Sequence, residues 1–314
     1  MKPAAPVITV TLNPALDKTV TIEQFEYGGL NRIKEMRTDA GGKGINVAKV
    51  LKLFEVDVNA LGLKAGYQGQ VIRDQLEKLG IDSTMIEAPG ETRVNLKIVD
   101  ESTKQTTELN EPGFMVDTDL LEQFQAVFKS KAAEASIIVL GGSLSPGIPP
   151  NYYRSLIEIA RAQGIRTILD ADGEALALGI EAAPFAIKPN VHELEALLGE
   201  TFDSMEQMIA AVRKLIDRGI EYVLVSMGAE GSLLVSKTEA VKASPFPIMP
   251  VSTVGAGDSM VAALVYSFLN GKSVEETARW TSAAGTITAS KPGTQVCTLH
   301  EVMHSLQLVT LTHY

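Results

Sequence analysis

Short runs of β-branched and other apolar residues alternate along this chain with longer segments of helical period. That alternation limits the fold more than any other feature. The runs PVITVTL, SIIVLGGS, RTILDADG, FAIKPN and YVLVSMG each end in small or polar residues. Helical patterns lie between such runs. In GINVAKVLKLFE the residues Ile45, Ala48, Leu51 and Phe54 recur on one helix face. PNYYRSLIEIARAQG and MEQMIAAVRKLIDRG also read as helices. Strand and helix in alternation predict an α/β fold, a mostly parallel sheet with helices on both faces. Ligands of such sheets sit beyond the carboxyl ends of the strands. Those ends here carry Ser143, Asp170, Lys188, Asn190, Ser226 and Gly228.

Two early segments follow another rule. KTVTIEQF and RVNLKIVD alternate polar with apolar residues, and KQTTELN follows the second. A period of two means one wet face and one covered face. We expect a small antiparallel sheet outside the main one, built from about residues 17–37 and 92–111, serving as a lid, a dimer surface or both.

At 314 residues the chain suffices for one large α/β domain or two small ones. Its formal charge of −10, with no basic block, argues against nucleic acid as a partner. The one cysteine, Cys297, rules out an internal disulfide or a thiolate cluster and fits a reducing cytoplasm. The opening MKPAAPVITVTLNP is interrupted too early for a signal peptide. The longest apolar run, near Met260 to Phe268, is about half the ~20 residues that span a bilayer. We therefore expect no membrane partner.

The stretch STVGAGDSMVAALVYSFL, from Ser252 to Leu269, poses a chemical question. Glycines opening a buried helix aim free N–H groups and about half a positive charge at an anion. Yet Asp258 follows at once. Asp is also a favoured helix N-cap, so GAGD alone could be a capped turn. Two further glycine loops, DAGGKGIN and SMGAEG, share the chemistry. Neither a Walker A loop nor a G-x-G-x-x-G after the first strand occurs. Three such loops without those signatures point to a different nucleotide or sugar-phosphate site.

The motifs carry a resemblance. TLNPALD (11–17), GGKGIN (41–46), ETRVNLKI (91–98), NEPG (110–113), GGSLSPG (141–147), KPNVHE (188–193), VSMGAEG (225–231) and STVGAGDS (252–259) stand in the order found in the ribokinase-like sugar kinases. Within these the chain resembles the phosphofructokinase B group. The resemblance implies a single domain over residues 1–314, with ATP and Mg²⁺ as cofactors and a ketohexose phosphate as acceptor. It implies fructose 1-phosphate first, with tagatose 6-phosphate and fructose 6-phosphate left open. It makes Asp258 the base for the sugar hydroxyl, and the amides of Gly255, Ala256 and Gly257 the stabilisers of the moving phosphoryl group. Asp17 and Asn46, with the backbone at Gly41 and Gly42, would bind sugar hydroxyls. Lys43 and Arg93, with Asn95 and Ser143 near, would hold the phosphate already on the sugar, and Arg32 could reach it from a partner subunit. Lys188, Asn190, Ser226, Gly228 and Gly231 would line the nucleotide, and Glu193 of N-x-x-E would hold the metal. The resemblance also implies a cytoplasmic homodimer joined through the lid. Lys291 departs from the family's usual Asn near a monovalent-cation site, and Ser145 from its usual Pro.

A rival pattern is HEVMH, from His300 to His304. It matches the zinc-hydrolase H-E-x-x-H, with Glu301 as base and His313 as the remaining candidate third ligand. Nothing in that reading gives the GAGD loop a purpose.

Overall fold

The computed structural model describes residues 5–314; residues 1–4, which open the N-terminal stretch read above, lie outside the described residues. In chain order the first strands are β1 Val7–Thr11, β2 Ala15–Ile22, β3 Glu35–Gly41, β4 Val58–Ala65 and β5 Asp82–Ala88. Next come β6 Arg93–Asp100, β7 Thr106–Asn110, β8 Ile137–Gly141, β9 Arg166–Asp170 and β10 Ala186–Ile187. The last are β11 Tyr222–Ser226, β12 Ser232–Val235, β13 Ala240–Ser244 and β14 Thr310–His313.

A 10-stranded sheet has the order β14-β13-β12-β11-β10-β9-β8-β1-β4-β5. From β11 to β5 every pairing is parallel. The β12, β13 and β14 strands extend that edge antiparallel. The five apolar runs picked out above became β1, β8, β9, β10 and β11. Strand β10 is cut to two residues because Pro189 cannot donate to the ladder. Consecutive side chains of a strand serve opposite cores. Ile137 and Val139 of β8 enter one, and Ile138 and Leu140 the other. Helices cover both faces, as the alternation required.

The expected second sheet is present, in the order β3-β2-β6-β7. Its outer pairings are antiparallel, while the central β2–β6 pairing is parallel. That central pair exists because β2 leaves β1 across Asn13-Pro14 and β6 follows β5, so both enter from the main sheet in one direction. The even alternation of buried and wet residues is not kept. All five residues of β7 are exposed, as are the first three of β3.

Two helices flank the first glycine loop and β3: α1 Lys43–Leu53 and α2 Gly66–Lys78. Helix Ala256–Leu269 packs between α1 and helix Val274–Ala289. Residues 261–265 of that helix, VAALV, are fully buried. Each Val or Leu so buried contributes about 1.5–3 kcal/mol, and this anchorage fixes the helix end that carries Asp258.

Candidate active site

Gly255 adopts φ 76°, a left-handed turn that a side chain would strain, and helix Ala256–Leu269 starts directly after it. Asp258 therefore stands in the first helical turn, 8% exposed. Asn46 of α1 donates Nδ2–H to Asp258 Oδ2 at 2.8 Å. Burial raises the carboxyl, and the nearby Asp170 charge raises it further; Asn46, Lys43 and Lys188 oppose them, leaving it pushed up to about 6. This is the environment of a base that ionises near neutrality. Ala256 N–H donates to Thr253 O at 3.2 Å, so that amide is held in the turn. Among the described residues the Gly255 and Gly257 amides make no backbone bond and stay available to an anion.

Asp170, at the carboxyl end of β9 and 1% exposed, is the hub beneath them. Its Oδ1 meets Lys43 Nζ at 2.9 Å and Lys188 Nζ at 3.4 Å. Burial alone would raise Asp170, but Lys188 and Lys43 outweigh it and hold it below the usual carboxylate range. Burial likewise pulls Lys43 down, and attraction to Asp170 more than reverses that. The structure thus places Lys43 beside Lys188, not among the groups that Arg93 contacts. Sequence reading had Asp170 only as a strand end. Nothing local to RTILDADG tells that two lysines from distant loops share its oxygen.

A second group of the expected site residues is built on the small sheet. Asn95 Nδ2 donates to Asp17 Oδ1 at 3.0 Å, and Lys97 Nζ lies 3.6 Å from Oδ2. Gly41 is required here, because a Cβ would meet Asp17 Oδ2 at 2.5 Å. A Cβ on Gly42 would meet the Thr11 side chain at 2.7 Å. Arg93 donates to Asn13 O at 3.2 Å and Glu111 O at 3.3 Å. Asn13 donates to Ser143 Oγ at 3.2 Å, which ties Ser143 to the same corner. Ser145 donates to Leu12 O at 2.9 Å, which pins its loop by a hydrogen bond. Several buried polar atoms in this region make no hydrogen bond: Thr11 Oγ1, Asn13 Oδ1, Arg93 Nε, Asn95 Oδ1 and Asp170 Oδ2. Buried groups normally find partners, so such a group of orphans asks for a polar ligand. Asn13, Thr11 and Lys97 escaped the sequence reading.

The third corner lies at β10 and β11. Asn190 caps helix Val191–Leu198 by accepting from Glu193 N–H, and Glu193 Oε2 accepts from Asn190 N–H, both at 2.8 Å. This capping box serves the helix and also fixes the Glu193 carboxylate. A bridge pairs Asn190 with Ser226. Gly228 has open space about it, whereas a Cβ on Gly231 would meet Ala243 O at 2.0 Å. Gly231 is thus needed for strand packing, whatever else it touches. The carboxylate of Glu193, oriented in this way, is a hard-oxygen donor of the kind that suits a water-bearing Mg²⁺.

The zinc pattern has other employment. Glu301 accepts from Thr298 N–H at 2.8 Å as part of a capping box and pairs with Lys291 at 2.7 Å. His304 Nδ1 lies 2.8 Å from His300 O, and His313 pairs with Glu275 at 3.2 Å. Among the described residues no group of three or more His, Cys, Asp or Glu could hold a metal ion. Nor is any described helix long and apolar enough to cross a membrane.

The geometry agrees with what comparison with known proteins shows. The profile of the pfkB family carbohydrate kinases matches residues 10–301. This chain belongs to that family. It is therefore a phosphotransferase acting on a sugar hydroxyl. A 1-phosphofructokinase of Rhodobacter capsulatus is 40% identical over 279 residues, which cover 88% of each chain. That of Bacillus subtilis (strain 168) is 36% identical, over 90% of this chain and 92% of its own. The phosphofructokinase-2 of Escherichia coli, solved in complex with potassium, superposes with a TM-score of 0.92 at 30% identity, covering 96% of this kinase and 98% of its own chain. Another structure of that E. coli protein is of a tetrameric inhibited form.

Proposed function

We propose that this kinase transfers the γ-phosphoryl group of ATP to fructose 1-phosphate, giving fructose 1,6-bisphosphate and ADP. The observation that carries the reading is the set of orphaned buried polar atoms that runs from Asn13, Arg93 and Asn95 to Asp170, whose charge acts on Asp258. A molecule rich in hydroxyls, with a phosphate at one end, answers both their number and their mixed donor and acceptor character.

Asp17 and Asn95 accept from and donate to sugar hydroxyls, and Arg93 with Ser143 holds the sugar's own phosphate. The acceptor hydroxyl stands against the Asp258 oxygen that Asn46 leaves free. Asp258 takes its proton as the oxygen attacks phosphorus and ADP departs. The Gly255 and Gly257 amides, with Lys43 and Lys188, face charge on the phosphoryl group in flight. Glu193, through water, would hold Mg²⁺ beside the nucleotide that Ser226 and Gly228 line; the ion supplies charge neutralisation on the phosphates. Lys291 donates to Val296 O at 3.0 Å and pairs with Glu301, so an ammonium already occupies the loop next to the GAGD turn. This supports turnover without added potassium.

The chain works as a cytoplasmic homodimer joined through the small sheet. Tyr27, Leu30, Ile33, Met36 and Leu109 are exposed there. Val94, Leu96 and Leu109 also line an open hollow of about 540 Å³. An apolar surface of that kind seeks cover. Light scattering at micromolar concentration should give the mass of two chains; a monomer would contradict the assembly.

ADP release measured with fructose 1-phosphate, fructose 6-phosphate and tagatose 6-phosphate at matched concentrations tests the substrate. The highest kcat/KM should fall to fructose 1-phosphate. A preference for either of the others would overturn the assignment and leave the kinase chemistry standing.

A further inference from the structure

A second cavity, of about 490 Å³, lies outside the reaction centre, between β3, α1, α2 and the 294–296 loop. Its volume is within the ~300–1,000 Å³ of small-molecule sites. Four cationic side chains line it: Arg37, Lys49, Lys52 and Lys78. The one acid in the lining, Asp39, is already held by Arg37 through contacts of 2.8 and 3.0 Å. Among the described residues, Lys49, Lys52 and Lys78 have no acid within ion-pair distance. Such a surplus is unexpected in a chain of charge −10. Lys52 and Lys78 stand in the last turns of α1 and α2, where a cation suits the helix dipole. That does not explain why both border one hollow together with Lys49.

Two more observations point to a ligand. The Thr294 hydroxyl, in the same lining, is buried with no hydrogen-bond partner. Leu53, Leu79, Ile81 and Val296 add apolar surface to the same lining. Lys49 donates to Ala40 O, and burial lowers its pKa despite Asp39, Asp17 and Asp258. A bound anion would restore what burial takes from that ammonium.

We propose that this cavity is a second binding site, for a small organic polyanion that carries carboxylate or phosphate groups on a short apolar frame. Its wall is shared with the reaction centre. Gln75 accepts from Ala40 N–H and donates to Thr38 O at 3.2 Å, and β3 runs straight into Gly41. Lys49 stands one helical turn from Asn46, the residue that holds Asp258. Occupancy therefore bears on sugar binding through β3 and α1.

Calorimetry of the whole protein tests the site, with ADP and the preferred sugar phosphate saturating the reaction centre. Tricarballylate probes the carboxylate chemistry and inorganic phosphate the phosphate chemistry. At least one should bind saturably to wild type, and the better binder names the class. Lys52→Gln combined with Lys78→Gln should weaken it roughly tenfold or more, because two of the four cations in the lining lose their charge. Turnover without the probe should stay that of wild type. No saturable binding to wild type, or a smaller weakening in the double variant, overturns the proposal. So does a fall in basal turnover, which would tie these lysines to the reaction centre instead.

Discussion

Replacing Asp258 by Asn changes two measurable properties in opposite directions. The amide oxygen can keep the 2.8 Å hydrogen bond from Asn46, so the shape of the site survives. The base does not. General-base assistance supplies roughly 10²–10⁴-fold, about 2.7–5.4 kcal/mol of barrier. ADP release by D258N should fall by at least roughly 100-fold while ATP still binds. Stability should move the other way. The carboxyl is raised from the usual 3.8 to about 6, so ionising it in place costs about 3 kcal/mol. The folded state holds the proton more tightly than the unfolded chain. Stability therefore falls as pH rises from about 4 to about 6, and the whole cost is present above that window. D258N escapes it. For 314 residues the gain corresponds to about 4 °C in Tm at pH 8, shrinking to nothing near pH 4. Differential scanning calorimetry at both pH values, beside a coupled ADP assay, reads both effects. A variant that keeps most of its turnover, or is no more stable at pH 8 than at pH 4 relative to wild type, refutes the reasoning.

Other consequences follow from the same geometry. In the pH profile of kcat/KM the acid limb should fall as pH drops through about 6, because Asp258 then takes up its proton before it can accept one from the sugar. Asp170→Asn removes the charge that helps raise Asp258, so that limb should move to lower pH; it also strands two ammoniums and should lower stability by about 3–5 kcal/mol in denaturant titration. Gly41→Ala places a Cβ 2.5 Å from Asp17 Oδ2 and should cut kcat/KM for the sugar by about 10²-fold, with KM for ATP unchanged. Glu193→Gln should raise the Mg²⁺ concentration for half-maximal rate by roughly 10–100-fold, and zinc should not replace magnesium.

The main sheet was legible because its strands are buried on both faces and so read as unbroken apolar runs. The antiparallel edge of β12, β13 and β14 was not, since SLLV, AVKAS and TLTH are short and no spacing ties the chain's last residues to Ala240. The parallel union of β2 with β6 also escaped, because period-two patterning reports faces and says nothing of strand direction. At the site, the motifs picked out Asp258, Asn46 and Asp17 through their loops. They could not reveal that Lys43 and Lys188 meet on one oxygen of Asp170, a contact spanning 127 residues on one side. Nor could spacing separate the two uses of N-x-x-E, which caps its helix and aims its carboxylate with the same atoms.

The most direct test is a crystal structure of the wild-type enzyme with fructose 1-phosphate and a non-hydrolysable ATP analogue. The account predicts one sugar hydroxyl within hydrogen-bond reach of Asp258, about 2.6–3.2 Å, in line with a γ-phosphate resting on the Gly255 and Gly257 amides. A sugar whose hydroxyls all lie beyond that reach, or a γ-phosphate bound away from that helix end, would contradict it.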